Sequence, residues 1–189
     1  TLVQEGMVEQ NEPRQGYTLG PMLYALAGRG SYRRELVETA KPHMLRLSAA
    51  SGATTLLAVL HQGRRYSVCR ADGREADAFA PQVWSVQSPY ASLTGRILLA
   101  HTVDDVPSWV RENGLPNDEW PDVSTMRRLR AELARLRKER FSIEEHTTTC
   151  LAALAMPVRR GTDVIAALGL YLPSYKFTGE VRETIEHQF

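Results

Sequence analysis

The residues best suited to chemistry lie close together in the sequence: a cysteine, a histidine and two glutamates. Cys150 follows His146 by a short segment, and Glu144 and Glu145 precede the histidine directly. A thiol needs a neighbouring base to become a thiolate near neutral pH, so Cys150 with His146 defines a candidate thiol-dependent enzyme. The competing interpretation is a polar strand end beside a buried cysteine, because free cysteine packs as a small hydrophobic residue. The second interpretation is favoured, and no catalytic residue is predicted.

The same glutamate and histidine side chains are potential metal ligands, but no third ligand at a fitting spacing is evident. The two cysteines, Cys69 and Cys150, cannot form a disulfide framework or a thiolate zinc cluster. The motifs GxSxG, GxGxxG, GxxxxGK[ST] and HExxH are absent. The sequence therefore predicts neither a metal site nor a cofactor, and it disfavours the common hydrolases, dinucleotide enzymes and metalloproteases.

Composition is that of an ordinary globular protein. Among 189 residues, 23 Lys and Arg balance 22 Asp and Glu, and 43% of the residues are hydrophobic. This balance argues against a protein that coats a polyanion, and no apolar run approaches the roughly 18 residues of a membrane span. The chain does not open on a basic and apolar leader, so we expect no secretion and a reducing, cytoplasmic location.

Hydrophobic periodicity predicts the elements that must position any site. Apolar residues at helical spacing predict helices in 21–50 with a break near Gly30, in 91–101, from Asp104 to Gly114, from Ser124 to Arg140, and from Thr178 onward. Alternating and β-branched runs predict strands at 7–10, 17–19, 54–60, 65–70, 76–79, 82–86, 141–145, 150–159 and 164–172. Since short turns join sequential strands, an antiparallel α+β domain is favoured.

Two further features allow both a functional and a purely structural interpretation. The helix from Ser124 is rich in arginine, which suits phosphate contacts, but its apolar stripe is more typical of a helix that covers a sheet. Aromatic residues on strands or at a strand–helix junction could either line a small-molecule pocket or pack in the core. These are Phe79, Trp84, Tyr90 and Tyr171.

An ordered set of short segments resembles the IclR family of bacterial transcriptional regulators. The segments cover 16–21, 40–47 followed by Ser51-Gly52, 91–100, 129–133, 141–146, 156–158 and 164–168. They fall in the family's order and span about Met7 to Thr178. The order of the segments, more than any single one, carries the resemblance.

The resemblance implies a two-domain regulator with an N-terminal winged helix-turn-helix for operator DNA and a C-terminal effector-binding domain similar to the GAF fold. Residues 1–20 would then be the wing remnant, and residues 21–189 the linker helix and the effector-binding domain. It further implies assembly into dimers or tetramers, with the helix from Pro21 contributing to the dimer. This chain would bind a small organic effector and would bind operator DNA poorly by itself.

The resemblance also implies where the effector binds, between the sheet and the helix that begins at Ala91. The implied positions are Phe79, Trp84, Leu93, Thr94, Glu144, Ala153, Gly169 and Tyr171. In the last strand, Gly169 and Tyr171 stand where the family usually has two serines, and Leu93-Thr94 replaces a Gly-Ala-like pair. Losing two short hydroxyl donors and gaining an aromatic ring favours a larger, apolar or aromatic acid over a glyoxylate-sized anion.

Three functions therefore remain in view. The favoured one is a ligand-responsive regulatory domain without enzymatic activity. The alternatives are a thiol-dependent enzyme that uses Cys150 and His146, and a ligand-free module that serves only dimerisation.

Overall fold

The computed structural model describes residues 1–10, 16–28, 33–73, 88–146, 150–177 and 179–188, and it divides the chain into two compact units, 1–38 and 39–189. The strands predicted at 76–79 and 82–86 lie outside the described residues, as do Phe79 and Trp84. Among the residues described, no helix is long and apolar enough to cross a bilayer.

The first unit contains a short hairpin followed by a helix. Strands β1 (Val8–Gln10) and β2 (Tyr17–Leu19) pair antiparallel, and α1 covers Pro21–Gly28. Gly20 lies so close to the chain before β1 that a Cβ there would stand 2.2 Å from the carbonyl oxygen of Gly6. This close approach fixes the point at which the hairpin gives way to the helix. The predicted hairpin is confirmed.

The second unit is built on an antiparallel sheet that follows α2 (Arg34–Ser51), a helix shared between the two units. Its strands are β3 (Thr54–His61), β4 (Arg64–Ala71), β5 (Ser142–His146), β6 (Leu151–Arg160) and β7 (Asp163–Pro173). Within the described residues the spatial order is β4-β3-β7-β6-β5, with every neighbouring pair antiparallel. The predicted antiparallel α+β class is therefore confirmed.

Helices surround this sheet. They are α3 (Leu93–Thr102), α4 (Val106–Asn113), α5 (Met126–Lys138) and α6 (Gly179–Gln188), with 3₁₀ helices at Pro89–Ala91, Asn117–Glu119 and Ser174–Lys176. The hydroxyl of Thr125 caps α5 by accepting a hydrogen bond from the amide of Arg128 at 3.3 Å. The sequence placed this helix start at Ser124, one residue too early.

Each face of the sheet packs against a different set of helices. Along β7, Ala167 and Tyr171 face α3 and α5, whereas Leu170 and Leu172 face the opposite way toward Phe177 and Ile185. The side covered by α3 and α5 is called the α3 face below. The apolar stripe of α5, which consists of Leu129, Leu133 and Leu136, is buried in this layer. The arginine-rich helix thus packs its apolar stripe against α3, on the side of the sheet that α3 covers.

Candidate functional site

The first turn of α3 lies in unusually close contact with its neighbours. A Cβ at Gly95 would stand 2.4 Å from the carbonyl oxygen of Pro89, and a Cβ at Gly169 would stand 2.5 Å from Cγ2 of Thr94. The hydroxyl of Ser92 caps the helix by accepting a hydrogen bond from the amide of Gly95 at 3.3 Å. Gly169 therefore allows the start of α3 to rest directly on β7, and Gly95 allows the preceding 3₁₀ helix to pack closely against α3.

A β-bulge in β4 determines which side chains reach the α3 face. The register between β3 and β4 shifts after Leu57, which leaves Val68 as an extra residue in β4. Ser67 and Arg70 therefore lie on the same face although they are three positions apart, and Arg65 joins them at the regular two-residue spacing. Each of the three lies opposite a β3 residue that packs toward α3. The bulge thus places three polar side chains of β4 on the α3 face.

Arg65 is the most deeply buried charged residue on this face. The residue is 2% exposed, and its Nε donates a hydrogen bond to Oγ1 of Thr94 at 3.2 Å. Burial lowers the pKa of Arg65 to about 10, which leaves the guanidinium protonated near neutral pH. No carboxylate forms an ion pair with Arg65 within the part of the chain that the structure describes.

Two buried hydroxyls accompany this cation. Oγ of Ser67 and the phenolic oxygen of Tyr171 are both shielded from solvent, and neither has a hydrogen-bond partner in the described residues. Burial raises the pKa of Tyr171 to about 12, while Arg70 and Arg65 act in the opposite direction. Tyr171 therefore remains a neutral hydroxyl at physiological pH. We call Arg65, Ser67, Thr94 and Tyr171 the polar cluster.

On the same face, two strands away from Tyr171, Glu144 is bound by Arg96. Nη1 of Arg96 donates to Oε1 of Glu144 at 2.5 Å, and the guanidinium lies 4.5 Å from the ring centroid of Trp120. Nε and Nη2 of Arg96 donate to the carbonyl oxygens of Tyr90 at 2.7 Å and Glu119 at 2.9 Å. Burial lowers the pKa of Arg96, and the charge of Glu144 opposes that shift. This network fixes the carboxylate and neutralises its charge.

The candidate thiol site differs from its prediction. Cys150 is exposed and has a φ of 52°, so it occupies a turn, and β6 begins one residue later at Leu151. The expectation of a buried cysteine at the start of that strand is wrong; the buried one is Cys69. The side chain of His146 and residues 147–149 lie outside the described residues. No group of three metal-ligating side chains occurs among those that are described.

An open cleft of about 310 Å³ also lies beside the β3–β4 turn. Its walls include Gly63, Arg64, Pro89 and Asn113, and it contains only one residue that the sequence singled out, Tyr90. None of the implied effector positions that the structure describes lines it. The polar cluster is therefore a separate feature of the fold.

Comparison with known proteins identifies the family. Residues 31–188 match the family model for the C-terminal domain of the bacterial transcriptional regulator IclR. The chain belongs to the IclR family of bacterial transcriptional regulators. No curated protein sequence matches it.

Solved structures of IclR proteins are similar to the chain over nearly its whole length. An IclR homolog from Microbacterium hydrocarbonoxydans, solved in complex with 4-hydroxybenzoate, is 29% identical, with a TM-score of 0.75 over 98% of this chain and 76% of that chain. The IclR regulator from Alicyclobacillus acidocaldarius is 22% identical, with a TM-score of 0.74 over 99% and 76%. The Thermotoga maritima IclR is 18% identical, with a TM-score of 0.72 over 99% and 75%. The α+β fold is that of IclR effector-binding domains.

Several effector positions implied by the resemblance lie together in this IclR domain. Thr94 contacts the site of Gly169, and Ala153 lies between Tyr171 and Glu144 across neighbouring strands. Leu93 is buried in the apolar core that includes α3. Of the aromatic residues with two interpretations, Tyr90 is a core residue: its hydroxyl donates to the carbonyl oxygen of Gly114 at 2.9 Å and accepts from Nε1 of Trp109 at 2.7 Å.

Sequence reasoning missed Arg65 and Ser67. Both lie in a run that was correctly predicted as a strand, but the face that each residue occupies depends on the bulge at Val68. No signal in the sequence marks the two residues, because Arg65 follows Arg64 and polar and apolar residues alternate after it. That pattern is typical of a half-exposed strand.

Proposed function

We propose that this chain is the effector-binding and oligomerisation part of a ligand-responsive transcriptional regulator. A small organic molecule binds on the α3 face of the sheet, among the positions that the resemblance implies. The observation that carries the proposal is the polar cluster, because buried hydroxyls without partners are rare in a core that has no ligand to satisfy them. The aromatic ring of Tyr171 favours an apolar or aromatic acid.

The first unit has a different role in this proposal. Residues 1–20 are the wing of a winged-helix DNA-binding domain, and α1 is the linker helix that joins a second copy of the chain in a dimer or tetramer. Operator DNA is bound through that N-terminal domain, so this chain alone binds it poorly. Support comes from large apolar side chains that are exposed in the first unit. They are Leu2, Val3, Tyr17, Leu19, Met22, Tyr24 and Leu26.

Regulation then follows from differential binding. The effector stabilises the arrangement of domains to which it binds more tightly, and the spacing of the two DNA-binding domains follows that arrangement. A ligand with equal affinity for both arrangements would regulate nothing.

Thermal unfolding of the chain across a panel of aromatic and aliphatic acids tests the sensor function, with 4-hydroxybenzoate included because of the related complex. Ligand at about 100 times its dissociation constant adds about 2.7 kcal/mol to the free energy of unfolding if it binds only the folded state. We expect a selective rise in the unfolding midpoint of several degrees. The panel also includes neutral compounds. If no compound changes the unfolding midpoint, the ligand-free dimerisation module is favoured.

The alternative to this function is a thiol-dependent enzyme that uses Cys150 and His146. The variant Cys150→Ser therefore serves as a control in the same assay. We expect it to keep the ligand response and the oligomeric state of the parent chain. Loss of both the ligand response and the oligomeric state would favour a functional role for the thiol.

A further inference from the structure

We infer that Arg65, Ser67 and Tyr171 form a binding site for the oxyanion of the effector, so that the ligand is an organic acid bound through its carboxylate. This inference rests on the proposed function and deepens it by assigning the ligand's charged group to named residues. Neither Arg65 nor Ser67 is among the effector positions implied by family resemblance.

The first argument is the buried charge of Arg65. A guanidinium removed from water costs a large free energy unless an anion or several acceptors compensate for it. Here only Nε has an acceptor, Oγ1 of Thr94, and the terminal amino groups make no hydrogen bond within the described residues. The edge of the guanidinium formed by its two terminal amino groups therefore has no acceptor among the described residues. Such an edge presents parallel N–H donors at the spacing of a carboxylate.

The second argument is independent of the charge. The hydroxyls of Ser67 and Tyr171 are buried without partners among the described residues, and each supplies one O–H donor. A carboxylate has lone pairs enough to accept from a guanidinium and from hydroxyls at the same time. The bulge at Val68 keeps Ser67 on the α3 face while Cys69 lies on the opposite one. A single oxyanion would satisfy donors that the protein itself leaves unsatisfied.

The third argument is the balance of charge on the α3 face. Arg70 forms a salt bridge with Asp72, and Arg96 forms one with Glu144. Among the described residues, Arg65 and Arg96 are the buried arginines, and Arg65 is the one of the two without an ion pair. The buried layer therefore holds a positive charge without a counter-ion, which selects an anion over a neutral molecule of the same shape.

Matched pairs of acids and amides test the assignment on the full chain. The probes are benzoate with benzamide and 4-hydroxybenzoate with 4-hydroxybenzamide, each followed by the shift in the thermal unfolding midpoint. We expect the acids to raise the midpoint and the amides to bind at least about tenfold more weakly. Measurements reach about 50 mM, so that even a millimolar dissociation constant is detected.

Single substitutions in β4 show which side chain binds the carboxylate. Arg65→Met retains the aliphatic stem and removes the charge, and we expect it to weaken acid binding by more than about tenfold without changing the response to amides. Arg64→Met is the matched control, because Arg64 is the adjacent residue of β4 and is exposed. We expect Arg64→Met to bind as the parent does. Ser67→Ala should give a smaller loss in the same direction.

The outcomes separate this inference from the proposed function. If the amides bind as well as the acids and Arg65→Met binds both, the sensor function stands and the oxyanion site is overturned. If no compound of either kind shifts the midpoint, both fail.

Stability of the ligand-free variant supplies a second readout. Removing a buried charge that lacks a partner should leave the midpoint of Arg65→Met equal to or above that of the parent. A midpoint lowered by several degrees would show that the protein itself compensates the charge of Arg65. That result would overturn the site.

Discussion

Gly169 and Thr94 form a complementary pair at the start of α3. The methyl group of Thr94 occupies the space that a side chain at position 169 would need, since a Cβ there would stand 2.5 Å from Cγ2. The resemblance implies a serine at this strand position and smaller residues at the helix start. In this chain the helix residue Thr94 carries the hydroxyl, which accepts the hydrogen bond of Arg65.

Substitution Gly169→Ser is therefore expected to destabilise the domain by about 1–3 kcal/mol, because it overpacks the contact between β7 and α3. The double variant Gly169→Ser with Thr94→Ala should recover at least half of that loss. Urea unfolding of both single variants and the double variant measures the coupling free energy. Additive effects, with no recovery in the double variant, would show that the two positions do not share this space.

The residues of the candidate site were only partly predictable from the sequence. Thr94, Gly169 and Tyr171 were identified through the resemblance, because they occupy recognisable places in the ordered segments. Arg65 and Ser67 were not, because their positions depend on the pairing of β4 with β3. Their burial results from contacts between elements distant in sequence, which composition and spacing do not encode.

At the scale of the elements, α5 tests which of two adjacent residues caps a helix. Ser124 and Thr125 are adjacent, and both are good capping residues, but only Thr125 accepts the amide hydrogen of Arg128. We expect Thr125→Ala to lower the free energy of unfolding by about 1 kcal/mol. The matched variant Ser124→Ala should change it by less than about 0.5 kcal/mol. Urea unfolding compares the two, and an equal loss in both would contradict the assignment.

The elements themselves were largely predictable. Strands β3, β4, β5, β6 and β7 lie within one or two residues of their predicted limits, because alternation and short turns are local signals. The bulge at Val68 and the left-handed conformation of Cys150 were not foreseen. Both are single-residue departures from regular geometry, and periodicity over a window of residues does not detect them.

At the scale of the whole molecule, the exposed apolar side chains of α1 predict self-association. Tyr24 is 67% exposed and Leu26 is 55% exposed. Placing glutamate at both positions should raise the dissociation constant of the dimer at least about tenfold, because charges would be buried without partners. Sedimentation equilibrium measures the constant, and Ala134→Glu on the exposed side of α5 is the control. Association unchanged by Tyr24→Glu and Leu26→Glu would remove α1 from the interface.

Burial of Arg65 has a further consequence, for the effect of salt on the regulator. Mobile ions screen exposed charges over a distance of about 8 Å at physiological ionic strength, but they do not enter a site that excludes water. An acid bound to Arg65, which is 2% exposed, would therefore keep its affinity as the salt concentration changes. Operator binding by a regulator falls steeply with salt, since it releases counterions from the phosphate backbone. A rise in ionic strength would thus weaken operator binding and leave effector binding unchanged.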